Sequence, residues 1–134
     1  MNDWTDAERR VERAQELFEQ RKLQEAADEL RAAISINPYN SGWFYNLGLT
    51  LDELDHTEEA IDAYRHALEI EPNELQTMNR LGVALNRIGR LRQALSTFEK
   101  IEQLDPSFEP VYGNRSITYA EMGEHEKAEE VFYL

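Results

Sequence analysis

Three polar side chains recur at intervals of 34 residues: Asn46, Arg80 and Asn114. An asparagine amide donates and accepts hydrogen bonds at once, so it can pair with a peptide backbone. A row of such side chains at a regular interval can hold an extended segment without reading its sequence. Whether these side chains can act together depends on the elements that position them.

Residues that could support catalysis are present but lack a productive arrangement. None of the histidines (His56, His66 and His125) has a second ligand at a metal-binding spacing such as H-E-x-x-H. The acid pairs Glu58–Glu59 and Glu129–Glu130 suit the first turn or exposed face of a helix, and do not indicate an acid–base pair converging in a pocket. The chain has no cysteine and no glycine-rich phosphate loop. We therefore predict a protein that is not an enzyme and needs no metal or cofactor.

The composition is that of a folded acidic protein. Of 134 residues, 41% are hydrophobic and 31% are charged, and the net charge is −13. This charge argues against binding to nucleic-acid backbones or to anionic lipid, both of which favour basic surfaces. The N-terminus "MNDWTDAERR" does not resemble a signal peptide, and no apolar stretch approaches the roughly 20 residues of a membrane span. Because the lack of cysteine also fits a reducing compartment, we expect a cytoplasmic location.

The elements that position these residues repeat with the same period. Pro38, Pro72 and Pro106 lie 34 residues apart, and each closes a block, since proline cannot continue the helix before it. When the blocks are aligned at this period, one position always holds a small residue: Ala26, Ala60, Ala94 and Ala128. The column of residues four positions later holds large apolar side chains: Leu30, Tyr64, Phe98 and Phe132. Apolar residues at i, i+3, i+4 and i+7, as in "AIDAYRHALEI", predict helices, and no segment alternates long enough for a strand. Each block splits into two helices, with Gly89 and Gly123 suited to the left-handed conformation that ends a helix.

With these repeated positions, the chain resembles the tetratricopeptide repeat family. The pattern W-x-x-L-G-x-x-Y, then A-x-x-x-F, then P at period 34 covers residues 7–134. The second block carries it best, at Phe44, Leu47, Gly48, Leu51, Ala60, Tyr64, Ala67 and Pro72. The resemblance implies an all-α fold, a right-handed superhelix (α-solenoid) of antiparallel helix pairs. It also implies a single domain over residues 1–134 with about four units: 7–40, 41–74, 75–108 and an incomplete 109–134.

The resemblance also implies a concave groove, lined mainly by the first helix of each pair. The residues of this chain that stand at groove positions are Val11, Gln15, Tyr45, Asn46, Leu49, Asn79, Arg80, Val83, Asn86, Arg87, Asn114 and Ile117, with Asp52 and Gly113 beside them. The apolar members would bury side chains of a bound segment, and the amides would hold its backbone. We therefore predict an adaptor that binds another protein or peptide segment; the alternative is a repeat that serves as a spacer.

Two features restrict the partner. Some family members grip a C-terminal carboxylate with Lys, Asn and Arg residues, and Val11 and Gln76 stand here in place of the lysines, so we do not expect that mode. Residues 41–74 carry nine acids and one base, whereas residues 75–108 carry five bases and three acids. A partner with a basic end and an acidic end would be steered into register.

Three adjacent aromatics, Trp43, Phe44 and Tyr45, cannot all share one buried face, because neighbours on a helix point about 100° apart. We expect Phe44 in the core, Tyr45 in the groove and Trp43 partly buried toward the preceding block.

The last block ends early, at Leu134, and would expose Val131 and Phe132 unless something covers them. This observation keeps two alternative functions open. The chain could be a structural repeat domain that self-associates, or continues into further repeats, through that end. It could also be a regulatory arm of a larger protein.

Overall fold

The helical period of the sequence produces helices throughout the chain. The computed structural model describes residues 3–132, leaving out the side chain of Phe132. Within that range it contains eight helices and no strand, which confirms the all-α class. The helices are α1 Asp3–Glu19, α2 Leu23–Ile36, α3 Ser41–Glu53, α4 Thr57–Ile70, α5 Leu75–Arg87, α6 Leu91–Leu104, α7 Pro110–Glu121 and α8 His125–Phe132.

The helices form two compact units, residues 1–72 and residues 73–134. In the first unit α1 packs on α2, α3 on α4, and α2 also on α3. In the second unit α5 packs on α6 and α7 on α8, while α7 also contacts α6 and α5. None of the helices described combines the length and the apolar character that a membrane crossing requires.

The turn inside each helix pair has one left-handed residue at the same position of the period. Gly89 and Gly123 have φ angles of 83° and 81°, which confirms the conformation predicted for them. Arg21 and Asp55 adopt φ angles of 62° and 61° at the equivalent positions without being glycine. In each case the next residue donates its N–H to a carbonyl five residues earlier, as from Lys22 to Leu17 at 2.8 Å, so the end of the helix is satisfied by the Schellman arrangement.

The turns between helix pairs use side chains as caps. The Oδ1 atoms of Asn37 and Asp105 accept from the backbone N–H two residues on, at 3.1 and 3.0 Å. Ser107 also donates its hydroxyl to Asp105 at 2.6 Å, and that bond, followed by the backbone one, lowers the pKa of the Asp105 carboxyl. Such Asx turns hold the proline that follows each of these residues at the end of its block.

Each complete inner block is closed by an aromatic ring lying over a glycine. A Cβ atom on Gly48 would approach the Tyr64 ring to 2.4 Å, and one on Gly82 would approach the Phe98 ring to 2.4 Å. Both rings are fully buried. Only a residue without a side chain allows the first helix of the pair to come this close to the ring on the second.

The final helix pair corrects one expectation. Val131 is only 5% exposed, so the prediction that it would be an uncovered apolar residue is wrong. It lies three residues after the buried Ala128, on the side of α8 that packs on α7, because residues three apart share a helix face. The side chain of Phe132 lies outside the described residues. The alternative of self-association through this end therefore loses Val131 as a contact.

Candidate peptide-binding surfaces

The groove residues predicted in the first unit surround a pocket of about 270 Å³. The residues predicted there (Val11, Gln15, Tyr45, Asn46 and Leu49) are called the first-unit surface below. Helices α1, α2 and α3 supply the lining, which consists of Val11, Ala14, Gln15, Phe18, Leu30, Asn46, Leu49 and Thr50. The pocket therefore brings together four of the five predicted residues.

The pocket has an apolar base and an amide rim. Ala14 and Leu30 are buried at the base, and Val11 and Leu49 are half-buried on the sides. Gln15 on α1 and Asn46 on α3 are exposed. This arrangement can bury an apolar side chain while amides pair with the backbone that carries it.

The buried Thr50 forms a hydrogen bond with the backbone of Asn46. The Thr50 hydroxyl donates to the Asn46 carbonyl oxygen at 2.8 Å, one turn along α3. This bond satisfies the hydroxyl within the helix, so the threonine can be buried beside the pocket. Asn46 itself is exposed, and the bond to Thr50 engages its backbone carbonyl and not its side-chain amide.

Tyr45 does not line the pocket. Its ring lies 6.1 Å from the ring of Tyr64 in a tilted arrangement, and the residue is half-buried. Phe44 stacks on His66, with ring centroids 5.2 Å apart and planes inclined by 27°. Phe44 and Trp43 are also half-buried, so the prediction of Phe44 as a core residue is wrong. The ring that stacks on Phe44 belongs to His66, which is itself exposed. All three aromatics are therefore half-buried, although they point in different directions around α3.

The residues predicted in the second unit lie on α5 and α7, as expected from the repeat. They are called the second-unit surface below and comprise Asn79, Arg80, Val83, Asn86, Arg87, Asn114 and Ile117. Two of them are joined directly, since Asn114 donates from Nδ2 to Oδ1 of Asn79 at 2.7 Å. Thr118 donates its hydroxyl to the backbone carbonyl of Asn114 at 2.9 Å, which is the same bond that Thr50 forms with Asn46.

The other members of the second-unit surface differ in exposure. Arg80 and Arg87 are exposed, Val83 is half-buried, and Ile117 is 52% exposed. Asn86 is half-buried, and its Oδ1 atom is buried with no hydrogen-bond partner within the described residues. The joined asparagines and the two arginines make this surface polar and basic, in contrast to the apolar pocket of the first unit.

Sequence reasoning missed the base of the pocket. Ala14, Phe18, Leu30 and Thr50 were not predicted as site residues, and Leu30 alone of them belongs to a column noted in the sequence, that of the large apolar residues. A signal was nevertheless present, since Leu30 stands where the next two blocks have Tyr64 and Phe98. A smaller side chain at a position that otherwise holds a ring indicates missing volume.

Metal binding has no geometric support within residues 3–132, because no three His, Asp or Glu side chains gather there in a group that could hold an ion.

Comparison with known proteins agrees with the repeat assignment. Family models described as tetratricopeptide repeat match residues 43–74, 75–108 and 109–134. None of the curated proteins matches the chain by sequence.

Solved structures of similar fold include three informative proteins. The crystal structure of MamA superposes with a TM-score of 0.89 at 20% identity, covering 96% of this chain and 75% of MamA. YrrB, described as a TPR protein with an unusual peptide-binding site, gives 0.83 at 28% identity, over 90% of this chain and 62% of YrrB. The TPR domain of Arabidopsis OM64 gives 0.81 at 18% identity, over 89% of this chain and 98% of that domain.

Proposed function

Because the chain belongs to the tetratricopeptide repeat family, whose α-solenoid is a protein–protein interaction scaffold, we propose that it is an adaptor that binds extended segments of partner proteins. The first-unit surface, with its pocket, is one binding surface, and the second-unit surface is another. The proposal includes no catalytic step and no cofactor.

The observation that carries the proposal is the pocket with its amide rim. An apolar cavity of about 270 Å³ beside two exposed amides, Gln15 and Asn46, has the composition of a peptide-recognition site. Amides at the rim satisfy backbone N–H and C=O groups, and the cavity takes a side chain. A repeat that served only as a spacer would gain nothing from leaving this volume open, because filling it would stabilise the fold.

The second-unit surface supports the same function with different chemistry. The bond between Asn79 and Asn114 uses one amide donor of Asn114 and leaves its Oδ1 atom and the Asn79 amino group available for pairing with a backbone. The description of YrrB as a peptide-binding repeat protein, at 28% identity, points in the same direction.

The experiment that tests the proposal is selection from a random peptide display library on three proteins in parallel. The first is wild type, and the second carries Asn46→Ala, Arg80→Ala and Asn114→Ala. The third is a matched control with the similar changes Asn73→Ala, Arg92→Ala and Gln103→Ala, all at exposed positions outside both surfaces. We expect peptides that bind wild type and the control but bind the Asn46→Ala, Arg80→Ala, Asn114→Ala protein, the groove variant, at least tenfold more weakly.

Two results would contradict the proposal. The first is a selection that enriches no peptide on wild type. The second is a set of peptides that bind the groove variant as tightly as wild type, with circular dichroism confirming that all three proteins are folded.

A further inference from the structure

The first block lacks the ring that closes the second and third blocks, and its pocket lies against the residue that stands in place of the ring. In the second and third blocks, Tyr64 and Phe98 lie over Gly48 and Gly82 at distances that exclude even a methyl group. In the first block the ring position is Leu30, which lines the pocket. A leucine has fewer atoms than a phenylalanine or a tyrosine, so it fills less of the space beside the first helix than a ring does in those blocks.

The neighbouring positions in the first block are adapted to an open, apolar cavity. Ala14 occupies the glycine position, so a ring held by α2 in the usual way would collide with its Cβ. Phe18 stands where the second block has Asp52, whose carboxylate accepts the Tyr64 hydroxyl at 2.6 Å. With Phe18 there, an apolar ring replaces the carboxylate at this edge, and the polar side chains of the pocket are those of Gln15, Asn46 and Thr50.

The surroundings of the cavity are acidic. Residues 1–72 carry 17 acids and 7 bases. Glu8 and Glu12 lie seven and three residues before Gln15, and Glu19 lies four residues after it. At these spacings the three glutamates share the side of α1 that carries Gln15. All three are exposed, and none forms an ion pair within residues 3–132. The arginines of α1 are Arg9, Arg10 and Arg13, which lie six, five and two residues before Gln15. At these spacings they lie on other faces of the helix.

We infer that the pocket receives one aromatic side chain from an extended partner segment in which lysine or arginine residues flank that aromatic. This inference rests on the proposed function and specifies the partner of the first-unit surface. The volume is sufficient, because an apolar cavity of about 150 Å³ already accommodates benzene. The flanking cations meet Glu8, Glu12 and Glu19, which raises the rate of association and selects against acidic segments.

A second copy of this chain is a poor occupant on the same grounds. Its aromatic residues Phe132 and Tyr133 lie in "HEKAEEVFYL", where three acids accompany a single lysine. Bringing that segment to the acidic side of α1 would oppose like charges. The partner chemistry is therefore a basic aromatic segment of another protein.

Three blocked peptides, acetyl-KKFKK-amide, acetyl-KKAKK-amide and acetyl-EEFEE-amide, test the inference by NMR titration of the wild-type chain. We expect acetyl-KKFKK-amide to shift the amide signals of Ala14, Gln15, Leu30 and Leu49 saturably. The alanine peptide, in which a methyl group replaces the benzyl group, should bind at least tenfold more weakly, because burial of the ring is lost. The acidic peptide should also bind at least tenfold more weakly, and added salt should reduce the difference between the two aromatic peptides.

A filled-pocket variant gives an independent readout. Ala14→Gly with Leu30→Phe recreates the glycine and ring pair of the third block, and should fold while binding acetyl-KKFKK-amide at least tenfold more weakly. The matched control, Ala120→Gly with Leu104→Phe, makes the same chemical changes at exposed positions of the second unit and should bind like wild type. If the filled variant fails to fold, the three-peptide series on wild type still decides the question.

Several outcomes overturn the inference. They are equal affinity for the phenylalanine and alanine peptides, signal shifts that lie away from the pocket, and no saturable binding of any of the three peptides. A wild-type dimer that acetyl-KKFKK-amide dissociates would place a second copy in the pocket and would also overturn it. The proposed function fails separately, in the library selection, which uses none of these peptides.

Discussion

The second and third blocks share one packing device but complete it differently. In the second block the Tyr64 ring lies over Gly48 and its hydroxyl donates to Asp52 at 2.6 Å. In the third block the Phe98 ring lies over Gly82 at the same separation, but phenylalanine has no hydroxyl. Asn86, the counterpart of Asp52, consequently keeps a buried Oδ1 atom with no partner within the described residues.

The difference shows which part of the block the repeat determines. In both blocks a small residue and a ring close the helix pair. The polar residue at the edge of the ring is free to vary, and its choice decides whether the site is satisfied, unsatisfied or, as with Phe18 beside Leu30, apolar and open. The same three positions therefore serve packing in two blocks, and in the first they line the pocket.

The largest expected effect comes from forcing a side chain under the ring. Gly48→Ala and Gly82→Ala should each destabilise the protein by about 1–3 kcal/mol, because the new Cβ would lie 2.4 Å from a buried ring. If the shared packing device is equally tight in both blocks, the two losses should agree within about 0.5 kcal/mol. Urea unfolding followed by circular dichroism measures both.

Gly113→Ala is the matched control for these two variants. Gly113 is inside α7, and a Cβ there would meet nothing within 4 Å. The substitution should therefore stabilise the protein by about 0.5–1 kcal/mol through helix propensity alone. A similar gain from Gly48→Ala would show that the ring moves aside at no cost, and the account of the closed block would be wrong.

The next effect removes the feature that distinguishes the two blocks. Tyr64→Phe should cost about 1–2 kcal/mol, since Asp52 loses a short hydrogen bond while its half-buried carboxylate keeps some contact with solvent. Thermal unfolding of this variant, of Asp52→Ala and of the double variant isolates the coupling between the two side chains. A coupling near zero would mean that the hydroxyl and the carboxylate are each satisfied as well by water.

Much of this arrangement could be predicted from the sequence, because it depends on a period. The blocks, the helical class, and the left-handed Gly89 and Gly123 all follow from residue types repeated at one spacing. What the period could not give is the content of a position that departs from it. The column position of Leu30 predicts one more large apolar core residue, whereas Leu30 also lines the pocket.

Phe44 shows a second limit of the same reasoning. The column position of Phe44 predicts a core residue, whereas its burial depends on what lies across from it, here the exposed His66. A column of the repeat records which face of a helix a residue occupies. It does not record how large a neighbour covers that face, so half-buried positions are assigned to the core too readily.

A smaller effect makes the third block resemble the second. Phe98→Tyr should stabilise the protein by about 1 kcal/mol, because the new hydroxyl would reach the unpartnered Oδ1 atom of Asn86. The gain should vanish when Asn86→Ala is also present, which a double-mutant cycle by thermal unfolding measures. A loss of stability in Phe98→Tyr would mean that the hydroxyl is buried without an acceptor, and that the two blocks are not equivalent at this edge.

The smallest effect concerns the left-handed turn residues, where the two units also differ. The first unit has Arg21 and Asp55 at these positions and the second has Gly89 and Gly123. Asp55→Gly should stabilise by about 0.5–1 kcal/mol, since a left-handed residue with a Cβ is strained and aspartate tolerates the strain only in part. Gly89→Ala should cost about 1 kcal/mol, and conformation is the sole cause, because a Cβ there would meet no atom within 4 Å. Thermal unfolding of both variants measures the two changes, and opposite signs are required. If both variants lose stability, Asp55 contributes an interaction that glycine cannot replace, and the two turns are not equivalent despite their shared φ.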